Sequence, residues 1–181
     1  MAYSILCEKG GKDEKILGRE NCSMRILVVS DTHRNVRNLR EALLQQPTAE
    51  IVIHLGDVEE DVQLLRHSFP EKMFLQVRGN CDWGSTLPDR GVYEAEGVKI
   101  FYTHGHLYSV KSGLYQAVCA AREQKARVLL FGHTHKALTD YEDGLYLMNP
   151  GSANCGSLGE PATYGTLDIT PQGIVTNIIK L

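Results

Sequence analysis

The stretch Ile26-Leu27-Val28-Val29-Ser30, running into Asp31-Thr32-His33, decides how this chain folds. A short apolar run, rich in β-branched residues and closed by an acidic residue, reads as a buried strand. Four more runs repeat the plan. Ile51-Val52-Ile53-His54-Leu55 leads into Gly56-Asp57, and Met73-Phe74-Leu75-Gln76-Val77 into Arg78-Gly79-Asn80. Lys99-Ile100-Phe101-Tyr102-Thr103 leads into His104-Gly105-His106, and Val128-Leu129-Leu130-Phe131 into Gly132-His133-Thr134-His135. In open α/β sheets, ligands collect outside the carboxyl ends of the strands. Five strands that each deliver Asp, Asn or His there, several beside a glycine that lets backbone come close, describe one convergent site. The donors are Asp31, His33, Asp57, Asn80, His104, His133 and His135. They are too many for one ion and suit two.

Outward from these runs the order is strand, helix, strand, helix, strand. Val36–Gln45 carries Val36, Leu39 and Leu43 at helical spacing and is stopped by Pro47; Val58–Ser68 is stopped by Pro70. Strands alternating with helices predict βαβ units and a parallel sheet. Gly91–Ala95 and Val98–Thr103 read as strands joined at Glu96-Gly97, and Ser112 as the cap of a helix reaching about Gln124. Two hairpins follow: Ala137–Tyr141 with Leu145–Met148, and Thr163–Ile169 with Ile174–Ile179. The expected fold is α/β, with two packed mixed β-sheets flanked by helices.

The 181 residues are one domain by length. Residues 24–181 are expected to form it. Residues 1–23, with Gly10-Gly11 and Lys12-Asp13-Glu14-Lys15, read as a flexible extension, either a genuine arm or sequence upstream of a native start at Met24. The net charge of -3 argues against a surface dedicated to coating nucleic acid, though not against a small phosphate substrate. Five cysteines, odd in number and without a CxxC pair, favour a reduced, cytoplasmic setting. No apolar stretch approaches the ~20 residues a membrane span needs.

Asp31 and His33 stand two apart on what is expected to be extended chain, as do His133 and His135, so each pair should grip from one side. A carboxylate such as Asp57 has two oxygens and can bridge two cations. Mixed oxygen and imidazole donors suit Mn²⁺, Fe, Co, Ni or Zn²⁺ better than Ca²⁺, with Mn²⁺ taken first. Two ions about 3.5–4 Å apart recur in phosphoryl chemistry, where they generate hydroxide and stabilise the attacking and leaving oxygens.

Asp-x-His, Gly-Asp, Gly-Asn, His and Gly-His-x-His, in this order, resemble the calcineurin-like metallophosphoesterases. Ser30-Asp31-Thr32-His33, Gly79-Asn80-Cys81-Asp82, Thr103-His104-Gly105-His106, Gly132-His133-Thr134-His135 and Asn149-Pro150-Gly151-Ser152 resemble their small bacterial and archaeal phosphodiesterase branch. The resemblance runs from Met24 to the C-terminus. It implies one ion on Asp31, His33, Asp57 and His135, and a second on Asp57, Asn80, His104 and His133. It also implies a phosphodiesterase in which a metal-bridging hydroxide attacks phosphorus in line. Many family members carry His where this chain has Cys81; that departure should weaken catalysis on poor leaving groups, with His106 as substitute general acid or substrate contact. The rival is a non-catalytic scaffold of the same fold, although scaffold relatives typically lose metal-binding histidines and none is lost here. The expected partner is a small phosphodiester; homo-oligomer formation and the substrate-binding residues stay open.

Other residues carry blander readings. His54 inside a strand reads as a core histidine, Cys81 as an inert spacer, and Arg78 as an ion-pair partner or phosphate contact. Asn35 is a helix cap or a substrate contact, and Asn149-Pro150-Gly151-Ser152 a rigid turn near the site. The rim loops Cys81–Arg90 and Tyr108–Gly113 are where specificity should lie.

Overall fold

A computed structural model describes residues 23–181. The expected extension lies almost wholly in residues 1–22, outside the described residues. Met24–Val29 (β1), Ile51–His54 (β2) and Met73–Gln76 (β3) pair in parallel, with Val36–Gln45 (α1) and Glu60–Arg66 (α2) as the crossovers. Arg90–Ala95 (β4) and Val98–Thr103 (β5) form a hairpin. Tyr115–Glu123 (α3) then leads to Val128–Phe131 (β6), parallel to β5.

The last two hairpins part company. Ala137–Glu142 (β7) and Leu145–Pro150 (β8) extend the second sheet, β4-β5-β6-β8-β7, through a parallel β6–β8 pair. Thr163–Thr170 (β9) and Gly173–Lys180 (β10) return to the first, β10-β9-β1-β2-β3, antiparallel to β1. Both sheets are mixed, as expected.

The two-residue period of the strands explains the layers. Ile26 and Val28 face the second sheet and pack in one core with Ile53, Ile100, Tyr102 and Leu130. Their neighbours Leu27 and Val29 face outward, onto Leu39 and Leu43 of α1 and Val62 of α2. Phe101, Leu129 and Phe131 do the same for α3, against Ala117, Val118 and Ala121. Because β1, β2, β5 and β6 are covered on both faces, they read as continuous apolar runs. Their carboxyl ends are the place where backbone leaves the sandwich, and the donor-bearing loops begin there.

Two expectations are corrected. The second helix is shorter than Val58–Ser68, because Val58 has a left-handed φ of 75° and the helix runs only from Glu60 to Arg66. Ser112 does not cap α3, which starts at Tyr115 after Leu114 without a side-chain cap. Asn35 does cap α1, its side chain accepting from the Asn38 N–H at 3.2 Å.

Candidate metal centre

Asp57 sits between two groups of donors. Its Oδ2 faces His33, whose Nε2 is 3.7 Å away, and its Oδ1 faces His104, whose Nε2 is 3.5 Å away. On the first side, Asp31, His33, Asp57 and His135 each place a donor atom within 4.8 Å of the others. His33 Nε2 and His135 Nε2 are 3.2 Å apart, and His135 Nε2 is 3.1 Å from Asp31 Oδ1. On the second side, His104 Nε2 lies 3.1 Å from Asn80 Oδ1 and 3.2 Å from His133 Nδ1. The structure therefore brings all seven predicted donors together. His106 stands beside the second group, its ring centroid 5.3 Å from that of His104, and its buried Nδ1 has no hydrogen-bond partner.

The backbone reaches this arrangement by a route the strand period did not suggest. Asp31, His33, Asp57, His133 and His135 all have positive φ, between 44° and 67°, so neither Asp31–His33 nor His133–His135 is extended. Left-handed backbone at non-glycine residues costs on the order of 1–3 kcal/mol each and persists only where surroundings over-determine it. It also splits the second pair: His135 joins Asp31, whereas His133 joins His104. The expectation that His133 and His135 grip from one side is thus corrected.

The surroundings that hold these loops are mostly polar and buried. The Asp82 carboxylate accepts four backbone N–H groups: Asp57 (3.0 Å), Val58 (2.7 Å), Glu59 (3.0 Å) and Gly79 (2.6 Å). Burial pushes its carboxyl up, and these four donors outweigh it, so its pKa is lowered. Asp82 was quoted above only as part of a motif; nothing in a sequence marks a carboxylate as the partner of loop N–H groups about 25 residues upstream. Gly79 has no room for a side chain, since a Cβ there would strike the Asp57 carboxylate. Gly132 is constrained in the same way by Ser30 Oγ.

His54 is fully buried, as read, but it does more than fill space. Its Nδ1 accepts from Gly56 N–H at 3.3 Å, which leaves Nε2–H to donate to Thr32 Oγ1 at 3.2 Å. Thr32 in turn donates to the Asp57 carbonyl at 3.2 Å. The chain links the Asp31–His33 loop to the Asp57 loop. The Asn149–Ser152 turn ties two further loops: Asn149 Nδ2 donates to the Gly132 carbonyl (2.9 Å) and Ser152 Oγ to the Asp31 carbonyl (2.9 Å). Arg78 is paired with Asp89 at 2.5 Å, leaving its phosphate role without support.

The electrostatics suit a cation. The Leu55 carbonyl can only accept, so His104 Nδ1, 2.7 Å away, must be its donor, and His104 Nε2 then presents a bare lone pair to its neighbours. Asp31 Oδ1 is buried without a hydrogen bond, because His135 Nε2 is close but not aligned with it. Burial pushes the Asp31 carboxyl up; the His135 ring, the field of His104 and the Ser30 hydroxyl outweigh it and hold it at about 2. The His135 pKa is raised, chiefly by Asp31. Burial, His104 and Lys111 together lower His133 to about 4. Burial, with the Asp57 carboxylate, pushes the Cys81 thiol up to about 11. Anionic oxygens and bare imidazole lone pairs converge with few protons between them, and that donor set fits divalent cations.

Residues 24–172 match the calcineurin-like phosphoesterase superfamily domain, and the chain belongs to that family. It is 30% identical over 166 residues to a phosphodiesterase of Methanocaldococcus jannaschii, covering 80% of this chain and 93% of that one. It is 32% identical over 163 residues to vacuolar protein sorting-associated protein 29 of Schizosaccharomyces pombe, covering 86% and 85%. Its fold is similar to that of a conserved uncharacterized protein, a predicted phosphoesterase, from Streptococcus pneumoniae TIGR4. The TM-score is 0.75 at 26% identity, covering 88% of this chain and 90% of that one. Among the described residues, no helix is long and apolar enough to cross a membrane.

Proposed function

We propose that this protein is a metal-dependent phosphodiesterase that uses two divalent ions. The observation that carries this reading is the placement of Asp57, with one carboxylate oxygen toward each of two donor groups. Asp31, His33, Asp57 and His135 would hold one ion; Asp57, Asn80, His104 and His133 the other. Two ions held there would supply Lewis acidity, lowering the pKa of water toward neutral and offsetting charge on the phosphate oxygens. The chain's own residues orient the reactants. Asp57 sets the spacing of the two sides, and Asp82 and the His54–Thr32 relay hold Asp57 in place. His106, beside the second side, contacts the substrate or protonates the leaving oxygen. No covalent intermediate is needed, since no Ser, Cys or Asp is left free and activated within the motif set.

Mn²⁺ is the first choice on donor type, with Ni, Fe, Co and Zn²⁺ as alternatives. The substrate is a small phosphodiester rather than a long nucleic acid, consistent with the net charge of -3. The free thiols Cys81, Cys119 and Cys155 support a cytoplasmic setting. The test is hydrolysis of an aryl phosphodiester by metal-stripped protein with Mn²⁺ restored. Activity that returns with metal and is lost in Asp57→Asn and His135→Ala supports the reading.

The sorting-associated relative favours a second reading, a non-catalytic scaffold. Retention of all seven donors favours the enzyme. Protein that binds two ions yet hydrolyses no ester with any metal decides for the scaffold.

A further inference from the structure

A groove of about 570 Å³ opens between the loop that follows His104 and the loop that carries His133 and His135. One wall is Val110, which packs over Gly105 between His104 and His106. The opposite wall is Thr134, between His133 and His135. Thr134 is pinned, its hydroxyl accepting from Asn149 Nδ2 at 3.0 Å and from Lys136 N–H at 3.2 Å. Leu114, Phe131 and Leu138 complete an apolar lining, and the charged groups in it are Lys111 and Lys136. Lys111 directly follows Val110, so the wall that packs over Gly105 carries an ammonium group.

The volume suits a small organic group. The lining says which kind. An apolar floor leaves a sugar hydroxyl without partners, and an unpartnered polar group is costly to bury. Two ammonium groups and no carboxylate in the lining favour a negative charge at its edge. A phosphodiester offers that combination: an anionic phosphate with an organic group on its oxygen.

We propose that this groove is the subsite for one ester group of the substrate, that the group is apolar and of aryl size, and that Lys111 faces the phosphate. The proposal rests on the phosphoesterase reading of the adjoining site. It adds the substrate class, apolar or aryl phosphodiesters, and two specificity-determining residues, Leu138 and Lys111.

Binding tests it without turnover. Phenylphosphonate and methylphosphonate are titrated into the metal-loaded full chain by calorimetry. Phenylphosphonate is expected to bind at least about tenfold tighter, from the added apolar burial. Leu138 lies on an edge strand and is 37% exposed, so Leu138→Asp should fold; it is expected to bring the phenyl-to-methyl ratio close to one. Leu138→Ala should lower the ratio less. Lys111→Gln is expected to weaken both phosphonates alike. Equal binding of the two probes by wild type, a ratio unchanged in Leu138→Asp, or no binding of either probe would overturn the proposal. Absence of aryl diester hydrolysis alongside a tight, Leu138-dependent phenylphosphonate site would instead count against the catalytic reading and leave the groove assignment standing.

Discussion

The two sides of Asp57 are built from different chemistry. The first has the Asp31 carboxylate in addition to the shared one, and two imidazoles that meet at 3.2 Å. The second adds only neutral donors, the Asn80 amide and two imidazoles. Charge count is one of the main controls on cation affinity, so one metal-binding fold can hold a tight ion and an exchangeable one side by side. Each side keeps one donor fully buried, Asp31 on the first and His104 on the second, while His33 and His135 of the first are partly exposed. The anionic side is suited to holding its ion more tightly than the neutral one.

Removing the shared residue should have the largest effect. Asp57→Asn is expected to weaken Mn²⁺ on both sides by more than the ~10–100-fold lost when a hydrogen-bond partner behind a ligand is removed. Calorimetric titration that still shows one step at native affinity would mean that the sides are independent. Next come the sides themselves. Wild-type protein should bind Mn²⁺ in two steps at least about tenfold apart. His135→Ala should remove the tighter step and His104→Ala the weaker; the reverse assignment would invert the comparison.

Smaller effects should come from residues that hold the loops. Asp82→Ala strands up to four backbone N–H groups, at about 1–3 kcal/mol for each left buried and unpaired. Urea unfolding of the metal-stripped protein should register the loss, with Asp82→Asn in between; wild-type stability in Asp82→Ala would show that the loops are held elsewhere.

The smallest effect is pH-dependent. Burial lowers His54 from 6.5 to about 4, so the folded state binds fewer protons than the unfolded one. Its contribution is therefore complete above about pH 6.5 and is lost as pH falls toward 4, costing about 2 kcal/mol between pH 7 and 5. His54→Leu should flatten that part of the stability profile; an unchanged slope would assign it to other groups.

Much of the site could be read along the chain because the fold puts its chemistry at strand ends. An apolar run and the polar residue that closes it are neighbours in sequence, so each donor carried its own local signal. The extended-chain argument for Asp31 and His33 put the two on one side by the wrong geometry, since both have left-handed φ. His54 was legible as buried but not as a donor to Thr32, because its partners come from two different loops. Asp82 was not legible at all.

By itself, the sequence determined the strand and helix order, the two-layer burial of β1 and β2, and the set of Asp, Asn and His residues that converge around Asp57. All of these follow from spacing over a few residues, the range over which side-chain period and turn chemistry act. Tertiary structure alone decided which sheet each terminal hairpin joins, the left-handed backbone at Asp31, His33, His133 and His135, and that Asp82 cradles the Asp57 loop. Those outcomes depend on where a buried polar group finds a partner, and such partners are set by packing across the whole chain.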